Sequence, residues 1–195
     1  MKCFGLIGNP LGHSFSPLIH KHLFGIKNID ASYKLLETTP ENLKKRIDEL
    51  KSGEYDGFNV TIPYKIEIMK YLDEISPEAL AIGSVNTICM KNGKVVGYNT
   101  DYFGFKRELE YYNIKVEKQN AYVLGTGGAS KAITKALENM NANVTLVSRH
   151  PKNNIIGYED LKSKKIDLIV NTTPVGMYPH MDDSPLDEEI ASKAK

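Results

Sequence analysis

The sequence predicts an α/β protein of two domains in which short strands alternate with helices. Three observations indicate this fold class. Apolar runs of strand length recur along the chain, and segments with helical spacing of apolar residues lie between them. Asn92-Gly93 separates two alternating apolar runs, which is the strongest short hairpin signal. Beyond the polar segment 115–120, an apolar strand, a glycine-rich turn, a helix and another strand indicate a βαβ unit with parallel pairing.

The first domain begins with a strand over residues 2–7, followed by a turn-rich loop. Ser16 then has the position of a helix N-cap, with Pro17 at the first helical position and Gly25 just beyond the expected end. A second strand is predicted over residues 32–37. This order of strand, helix and strand opens the predicted sheet.

The next helix starts in the same way, with a cap and a proline at Thr39-Pro40. Helical spacing predicts that its buried stripe consists of Leu43, Ile47 and Leu50. Ser76 begins a further short helix, which ends at Gly83. Two strands over 84–90 and 94–99 then form the hairpin.

The rest of the first domain is organised around residues 57–65. Apolar and polar side chains alternate there, which predicts a strand that buries Phe58, Val60 and Ile62. Pro63 ends this strand, since proline cannot donate to a ladder. A helix with apolar positions at Ile66, Met69 and Leu72 then begins, so Lys65 is held at a strand-to-helix junction, the usual place for a site in an open α/β sheet. The alternative is a solvated first-turn lysine, although its charge would oppose the helix dipole.

A long helix begins at Thr100-Asp101, and the chain turns polar after it. We therefore place the first domain at residues 1–101, a connecting helix and linker at 102–118, and the second domain at 119–195. The second domain is predicted to contain strands near 121–124, 144–147 and 166–170, and a last helix from about residue 187.

Composition narrows the class of protein. Charged residues make up 25% and hydrophobic residues 41% of the chain, as in ordinary globular proteins, and a net charge of +1 gives no reason to expect nucleic acid or an anionic membrane as partner. Glycine and proline interrupt the N-terminus too early for a signal peptide, and no run approaches the length of a membrane span, so we expect a cytoplasmic protein. Cys3 and Cys89 have neither disulfide nor metal-ligand spacing, and no metal is expected.

The glycine-rich turn Gly125-Thr126-Gly127 lies between an apolar strand and a helix. Such a turn lets backbone N–H groups approach a phosphate at the positive end of the helix. It matches the first two glycines of the dinucleotide fingerprint, and Ser130 replaces the third. The turn therefore indicates a dinucleotide site.

The end of the following strand, Ser148-Arg149-His150-Pro151-Lys152, contains no acidic residue. An enzyme that uses NAD places a carboxylate there for the ribose 2′-hydroxyl, whereas a 2′-phosphate needs a cation. Arg149 can bind a phosphate bidentately, with His150 or Lys152 as helpers. This pattern favours NADP over NAD, and the alternative is a solvated basic loop.

In the first domain, polar side chains gather at predicted strand ends and helix starts: Ser14, Ser16, Asn59, Thr61, Lys65, Asn86 and Asp101. Taken singly, most of them also fit ordinary structural roles, such as an N-cap for Ser16, a hairpin polar residue for Asn86 and a helix-start charge for Asp101. Brought together, they would line a pocket suited to a small polyhydroxylated carboxylic acid. Reduction of its ketone needs a proton donor near the developing alkoxide, which Lys65 paired with Asp101 can supply.

The ordered motifs of the chain resemble those of the shikimate dehydrogenase family from end to end. They are Ser14-Phe15-Ser16, 59–65 (NVTIPYK), 82–87 (IGSVNT), 97–101 (GYNTD), 125–130 (GTGGAS) and 171–177 (NTTPVGM). The resemblance implies NADP-dependent, reversible reduction of 3-dehydroshikimate to shikimate in the pathway to aromatic amino acids. It also implies an N-terminal αβα substrate domain with a mostly parallel sheet, followed by a Rossmann-type dinucleotide-binding domain, which is incomplete here.

The resemblance assigns roles to individual residues. Lys65 and Asp101 would be the catalytic pair. The substrate carboxylate would contact Ser14 and Ser16, and the ring hydroxyls would contact Thr61, Asn86 and Asp101. The cofactor-binding residues would be Gly125, Thr126, Gly127, Gly128, Ala129, Ser130, Ser148, Arg149, Lys152, Thr172 and Met177. Tyr64 stands where many relatives have His and Pro174 where many have Ser, and neither position has an assigned role.

Family members continue past Lys195 with further strands of the cofactor domain and with helices that return to cover the first domain. We therefore expect a truncated enzyme with impaired activity. Apolar surface left on the first domain predicts association, with a homodimer as the candidate assembly, or instability. Two alternatives are a non-catalytic shikimate-binding fragment and a relative that also oxidises quinate, usually with NAD.

Overall fold

The computed structural model describes residues 1–12 and 14–194. The chain forms two compact units, Met1–Thr100 and Asp101–Lys195. The domain limits predicted from the sequence, 1–101, 102–118 and 119–195, remain a prediction. Each unit contains a sheet with helices around it, and each is described separately below.

The first unit contains six strands and three α-helices within the described residues. The strands are β1 (Lys2–Gly8), β2 (Ala31–Glu37), β3 (Gly57–Val60), β4 (Glu74–Ile75), β5 (Thr87–Lys91) and β6 (Lys94–Tyr98). The helices are α1 (Ser16–Lys27), α2 (Leu43–Lys51) and α3 (Pro77–Ile82), with 3-10 turns at Pro40–Asn42 and Glu67–Tyr71. The short strand β4 carries no alternating pattern, so the sequence did not predict it.

The sheet of the first unit has the order β2-β1-β3-β5-β6-β4. Strand β1 pairs in parallel with both β2 and β3, whereas β5 runs antiparallel to β3 and β6. The hairpin between β5 and β6 forms as predicted, with φ of 52° at Asn92 and 76° at Gly93, as a type I′ turn requires. The buried stripe of α2 is also confirmed, since Leu43, Ile47 and Leu50 lie in the main core.

The second unit contains three strands and three α-helices in the part of the chain that the structure describes. They are α4 (Asp101–Tyr111), β7 (Asn120–Leu124), α5 (Gly128–Asn139), β8 (Asn143–Val147), β9 (Leu168–Asn171) and α6 (Glu188–Ala191), with a 3-10 turn at Glu159–Ser163. The sheet order is β8-β7-β9, and both pairings are parallel. Helix α4 packs against α5, and Leu109 joins the core formed by β7 and α5. The predicted α/β class with mostly parallel sheets is confirmed.

Two predictions about α1 were wrong. The residue at the N-cap position is Phe15, and Ser16 is the first helical residue and makes no capping hydrogen bond. The helix also continues through Gly25, because a glycine inside a helix is tolerated at a modest cost, and it ends where Asn28 adopts the left-handed conformation, with φ of 52°.

The segment around Lys65 also differs from the prediction. Strand β3 ends at Val60, and Ile62 beyond the last sheet pairing is 53% exposed. Lys65 lies in a turn that leads into a 3-10 helix, in which Ile68 rather than Ile66 or Met69 is fully buried. Of the predicted apolar positions, Met69 and Leu72 are partly buried against the main core, whereas Ile66 is exposed.

No helix among the described residues is long and apolar enough to cross a membrane. Cys3 and Cys89 are free thiols in partly buried positions of the first unit.

Candidate functional site

The predicted polar residues that belong to the first unit lie towards one edge of its sheet. This edge holds the carboxyl ends of β1 and β3 and, because β5 runs antiparallel to β3, the beginning of β5. The Val60 N–H donates to the Asn86 carbonyl at 2.8 Å, and the Val85 N–H donates to the Lys65 carbonyl at 2.8 Å. Thr61, directly after β3, donates its N–H to the Ile7 carbonyl at 2.9 Å. Thr61, Lys65 and Asn86 therefore lie on neighbouring backbone segments.

Gly8, the last residue of β1, explains how closely these segments approach. A Cβ atom at Gly8 would lie 2.5 Å from the Thr61 Cγ2 atom and 2.7 Å from a methyl group of Leu11. A side chain at Gly8 would force the side chains of Thr61 and Leu11 to move. Gly8 therefore allows the loop after β1 to pass close to the end of β3.

Asn86 makes several side-chain hydrogen bonds at this edge. It is 7% exposed, and its Oδ1 atom accepts from the Thr87 hydroxyl at 3.0 Å and from the Thr100 N–H at 2.9 Å. Its Nδ2 atom donates to the Thr100 hydroxyl at 2.9 Å. These bonds hold the carboxamide in one orientation and fasten the end of the first unit to the beginning of β5.

Ser14 and Ser16 belong to the same edge through the loop that follows β1. The Ser14 hydroxyl accepts a hydrogen bond from the Ser16 N–H at 3.2 Å. The Ser16 side chain lies near the phenol of Tyr33, and Tyr33 donates to the Asn59 Oδ1 atom at 2.8 Å. The two serines therefore lie beside the hydrogen bond that joins β2 to β3. Tyr33 was not among the predicted site residues, because nothing in the local pattern of β2 distinguishes it from a packing residue.

Asp101 is the first residue of α4 and lies in the second unit. It follows Thr100 directly in the chain, and Thr100 is the residue that Asn86 holds. The pairing of Asp101 with Lys65 remains a prediction.

The residues predicted for the cofactor gather at the carboxyl edge of the second sheet. The Gly125 N–H donates to the Val147 carbonyl at 2.9 Å, and the Thr172 N–H donates to the Leu124 carbonyl at 3.0 Å. Gly125, Ser148 and Thr172 are the residues that directly follow the neighbouring strands β7, β8 and β9. This edge of a parallel sheet is where nucleotides bind in proteins of this class.

The turn after β7 fits a dinucleotide. Gly125 has φ of +106°, and a Cβ atom there would lie 2.9 Å from the Thr172 hydroxyl oxygen. The N-cap residue of α5, Gly127, makes no side-chain capping bond, so the first N–H groups of the helix can serve a phosphate. Ser130 is 1% exposed, which agrees with the tight helix–sheet contact that the third fingerprint residue makes.

The remaining predicted cofactor residues lie around this turn. Thr126 is exposed in the turn itself, and Gly128 and Ala129 form the first turn of α5. Arg149 and Lys152 are exposed in the loop after β8, and Met177 is 58% exposed in the loop after β9. With no carboxylate in residues 148–152, the donors at this edge suit a 2′-phosphate.

Comparison with known proteins decides the family. The profile of the shikimate dehydrogenase substrate binding domain matches residues 6–88, the segment that contains Ser14, Lys65 and Asn86. Over 200 residues the chain is 46% identical to the shikimate dehydrogenase (NADP+) of Clostridium beijerinckii, and this alignment covers 97% of the chain and 74% of that protein. This chain belongs to the shikimate dehydrogenase family.

Solved structures of the shikimate dehydrogenase family agree. The chain superimposes on shikimate dehydrogenase 1 of Peptoclostridium difficile with a TM-score of 0.92 and 45% identity, covering 100% of this chain and 74% of that one. The enzyme of Thermus thermophilus, solved in complex with NADP(H) and shikimate, gives a TM-score of 0.87 at 33% identity, covering 97% of this chain and 75% of that one. The resemblance inferred from the motifs is therefore confirmed, as is the expected fold of a substrate domain followed by a Rossmann-type domain.

Proposed function

We propose that this chain is an NADP-dependent shikimate dehydrogenase, which reduces 3-dehydroshikimate reversibly to shikimate in the route to aromatic amino acids. One observation carries the proposal. The backbone of Lys65 lies next to the segments that carry Thr61 and Asn86 at one sheet edge, inside the segment 6–88 that matches the substrate-binding domain of the family. Neutral donors and a cation suit a polyhydroxylated carboxylic acid.

In this proposal the first unit binds the acid. Ser14 and Ser16 hold the carboxylate through their hydroxyl groups, near the N-terminus of α1, where a negative charge is favoured. Thr61, Asn86 and Asp101 bind the ring hydroxyls. The fixed carboxamide of Asn86 supports this role, because a group that is already oriented loses little freedom when the ligand binds.

Lys65 and Asp101 carry the proton chemistry. When bound, NADPH supplies the hydride that converts the ketone to an alkoxide. The Lys65 ammonium donates a proton to that oxygen, which becomes the hydroxyl of shikimate, and the neutral amine regains a proton from water. In the reverse direction the neutral Lys65 amine accepts the hydroxyl proton. The Asp101 carboxylate holds the ammonium in place.

The second unit binds the nucleotide in this proposal. The residues at the carboxyl ends of its strands hold NADP: Gly125, Thr126, Gly127, Gly128, Ala129, Ser130, Ser148, Arg149, Lys152, Thr172 and Met177. Arg149 binds the 2′-phosphate, and the N–H groups of the first turn of α5 bind the pyrophosphate.

An absorbance assay of NADPH with purified protein tests the activity. We expect shikimate oxidation with NADP+ that exceeds the rate with NAD+, and a lower rate with quinate. Isothermal titration with shikimate and with NADP+ accompanies the assay. Binding of shikimate without nucleotide binding or turnover would favour the alternative of a non-catalytic shikimate-binding fragment. A higher rate with quinate and NAD+ would favour the quinate-oxidising alternative.

The proposal includes a cytoplasmic location and a homodimer. A pathway from one soluble acid to the next, with NADP as the cofactor, belongs in the cytoplasm. The dimer is supported by α1: all of its residues are described and none is buried, and it exposes Leu18, Ile19, Leu23 and Ile26. Cell fractionation tests the location, and light scattering during size-exclusion chromatography tests the dimer.

A further inference from the structure

Tyr33 belongs to a group of polar side chains in the first unit, which we call the polar cluster: Ser16, Tyr33, Asn59, Asn86 and Thr87. Its phenol donates a hydrogen bond of 2.8 Å to the Asn59 Oδ1 atom and interacts with the Ser16 hydroxyl on its other side. Its ring stacks on the ring of His20, with centroids 3.9 Å apart and an interplanar angle of 15°. The His20 Nδ1 atom lies 2.8 Å from the Ser16 carbonyl oxygen. The ring of Tyr33 therefore supports His20, which contacts the backbone of Ser16.

The phenol remains a hydrogen-bond donor at any pH at which the protein works. Burial raises the pKa of Tyr33 to about 12, although the nearby Ser16 side chain acts in the opposite direction. The neutral phenol donates to Asn59. A phenylalanine ring at this position would stack in the same way but could not form this bond.

The hydrogen bonds that begin at Tyr33 run in one direction towards Asn86. With its Oδ1 atom occupied by Tyr33, Asn59 presents its Nδ2 atom to the Thr87 hydroxyl at 3.2 Å. The Thr87 hydroxyl in turn donates to the Asn86 Oδ1 atom at 3.0 Å. Backbone groups fix the two carboxamides, since the Thr100 N–H donates to Asn86 and the Asn86 carbonyl accepts from Asn59. The phenol of Tyr33 fits the orientation of Asn59 as its remaining donor.

We propose that Tyr33 is a positioning residue for substrate binding, which holds the Asn59 carboxamide through its phenol and supports Ser16 through the stacked ring of His20. This inference rests on the proposed function, since it concerns the site that would take the acid. Tyr33 acts through the groups it holds and takes no part in proton transfer. Its loss therefore weakens substrate binding while the rate from the bound state changes little.

The variant Tyr33→Phe tests the inference, because it removes the hydroxyl and keeps the ring stack on His20. We expect shikimate to bind about tenfold more weakly and its KM to rise by a similar factor, while kcat and the NADP+ affinity stay within about twofold. Tyr55→Phe is the matched control, since Tyr55 is a buried tyrosine of the same unit that packs on Phe58 and lies outside the polar cluster. Tyr55→Phe should leave the affinity for shikimate and the KM for shikimate unchanged.

A double-mutant cycle separates positioning from general stabilisation. If Tyr33 acts through Ser16, the variant Tyr33→Phe should reduce shikimate affinity less in a Ser16→Ala background than in the wild type. Circular dichroism and urea unfolding check that each variant folds. If Tyr33→Phe does not fold, Asn59→Ala removes the other partner of the phenol and is expected to raise KM for shikimate in the same way.

The outcomes distinguish the positioning role of Tyr33 from the proposed function of the protein. Wild-type affinity for shikimate in Tyr33→Phe, or in Asn59→Ala if that variant has to be used, overturns the positioning role and leaves the proposed function standing. If the losses of shikimate affinity in Tyr33→Phe and Ser16→Ala are strictly additive, the positioning role is also overturned. A wild-type protein that neither binds nor oxidises shikimate overturns the proposed function, and the inference with it.

Discussion

The phenol of Tyr64 donates a hydrogen bond of 2.6 Å to the backbone carbonyl of Thr38. Both residues are buried, with Tyr64 4% and Thr38 2% exposed, and the Thr38 N–H is bound in turn to the Gly8 carbonyl at 3.1 Å. Tyr64 directly precedes Lys65, whose carbonyl accepts from Val85. The backbone around Lys65 is therefore fastened on one side to the loop after β2 and on the other to the segment before β5.

Replacing Tyr64 by phenylalanine should weaken this attachment. The change leaves the buried Thr38 carbonyl without its phenol donor, so we expect the free energy of unfolding to fall by about 1–3 kcal/mol. We also expect a lower kcat, because Lys65 is the next residue. Urea unfolding and steady-state kinetics measure the two effects. Tyr112→Phe, at a tyrosine with a 64% exposed side chain, should change stability by less than about 0.5 kcal/mol. Equal stability of Tyr64→Phe and wild type would contradict the prediction.

Replacing Lys65 by alanine should remove the proposed proton donor. A positioned general acid contributes roughly 10²- to 10⁴-fold to a rate, so we expect kcat to fall within that range while NADP+ affinity stays nearly unchanged. Steady-state kinetics and titration with NADP+ measure the two quantities. Lys70→Ala provides the control, since the Lys70 ammonium is exposed and pairs with Glu67 at 2.7 Å. Wild-type turnover in Lys65→Ala would remove Lys65 from the chemistry.

Replacing Arg149 by alanine should reduce the preference for NADP over NAD. Hydrogen bonds to a charged group are worth about 1.5–3 kcal/mol, so the ratio of kcat/KM for NADP+ to that for NAD+ should fall by about 10- to 150-fold. The KM for shikimate should not change. Arg107→Ala removes an exposed arginine of α4 in the same unit and serves as the control. An unchanged ratio in Arg149→Ala would indicate that the loop after β8 is simply solvated.

The sequence was sufficient to predict the parts of the fold that depend on local chemistry. The Asn92-Gly93 hairpin follows from the positive φ that both residues adopt readily, and α3 lies between the N-cap Ser76 and the C-cap Gly83, as the capping residues indicate. The glycine turn at Gly125 is likewise a local signal, since its backbone conformation excludes most other residues.

The role of Tyr33 could not be predicted, because it depends on how distant strands are aligned. Phe4 of β1 pairs with Tyr33 on one side and with Gly57 on the other, so Tyr33 lies level with Gly57 across the sheet. Asn59 is two residues further along on the same face, within reach of a long tyrosine side chain. That register comes from strand pairings far apart in the chain, and the local alternation of polar and apolar residues does not contain it.

The carboxylate of Asp73 provides a test of pH dependence. Its Oδ2 atom accepts from the Val95 N–H at 2.8 Å, and its Oδ1 atom accepts from the Lys51 ammonium at 3.0 Å. The backbone hydrogen bond and, after it, the bond from Lys51 hold the pKa of Asp73 below its ordinary value. A carboxyl group whose pKa is lower in the folded state stabilises the fold above its unfolded pKa, about 3.9, and this contribution disappears as the pH falls through the folded value.

Asp73→Asn should therefore lower the urea midpoint of the first unit at pH 7, and the difference from wild type should shrink as the pH falls below about 4. The amide exchange of Val95, followed by NMR, reports the same bond directly and should be faster in the variant at neutral pH. Asp48→Asn, at an exposed position of α2, should follow the wild-type curve throughout. If the difference between the urea midpoints of wild type and Asp73→Asn stayed constant down to about pH 3, the lowered pKa would not be the source of the stabilisation. The Val95 bond would then act equally well with an uncharged acceptor.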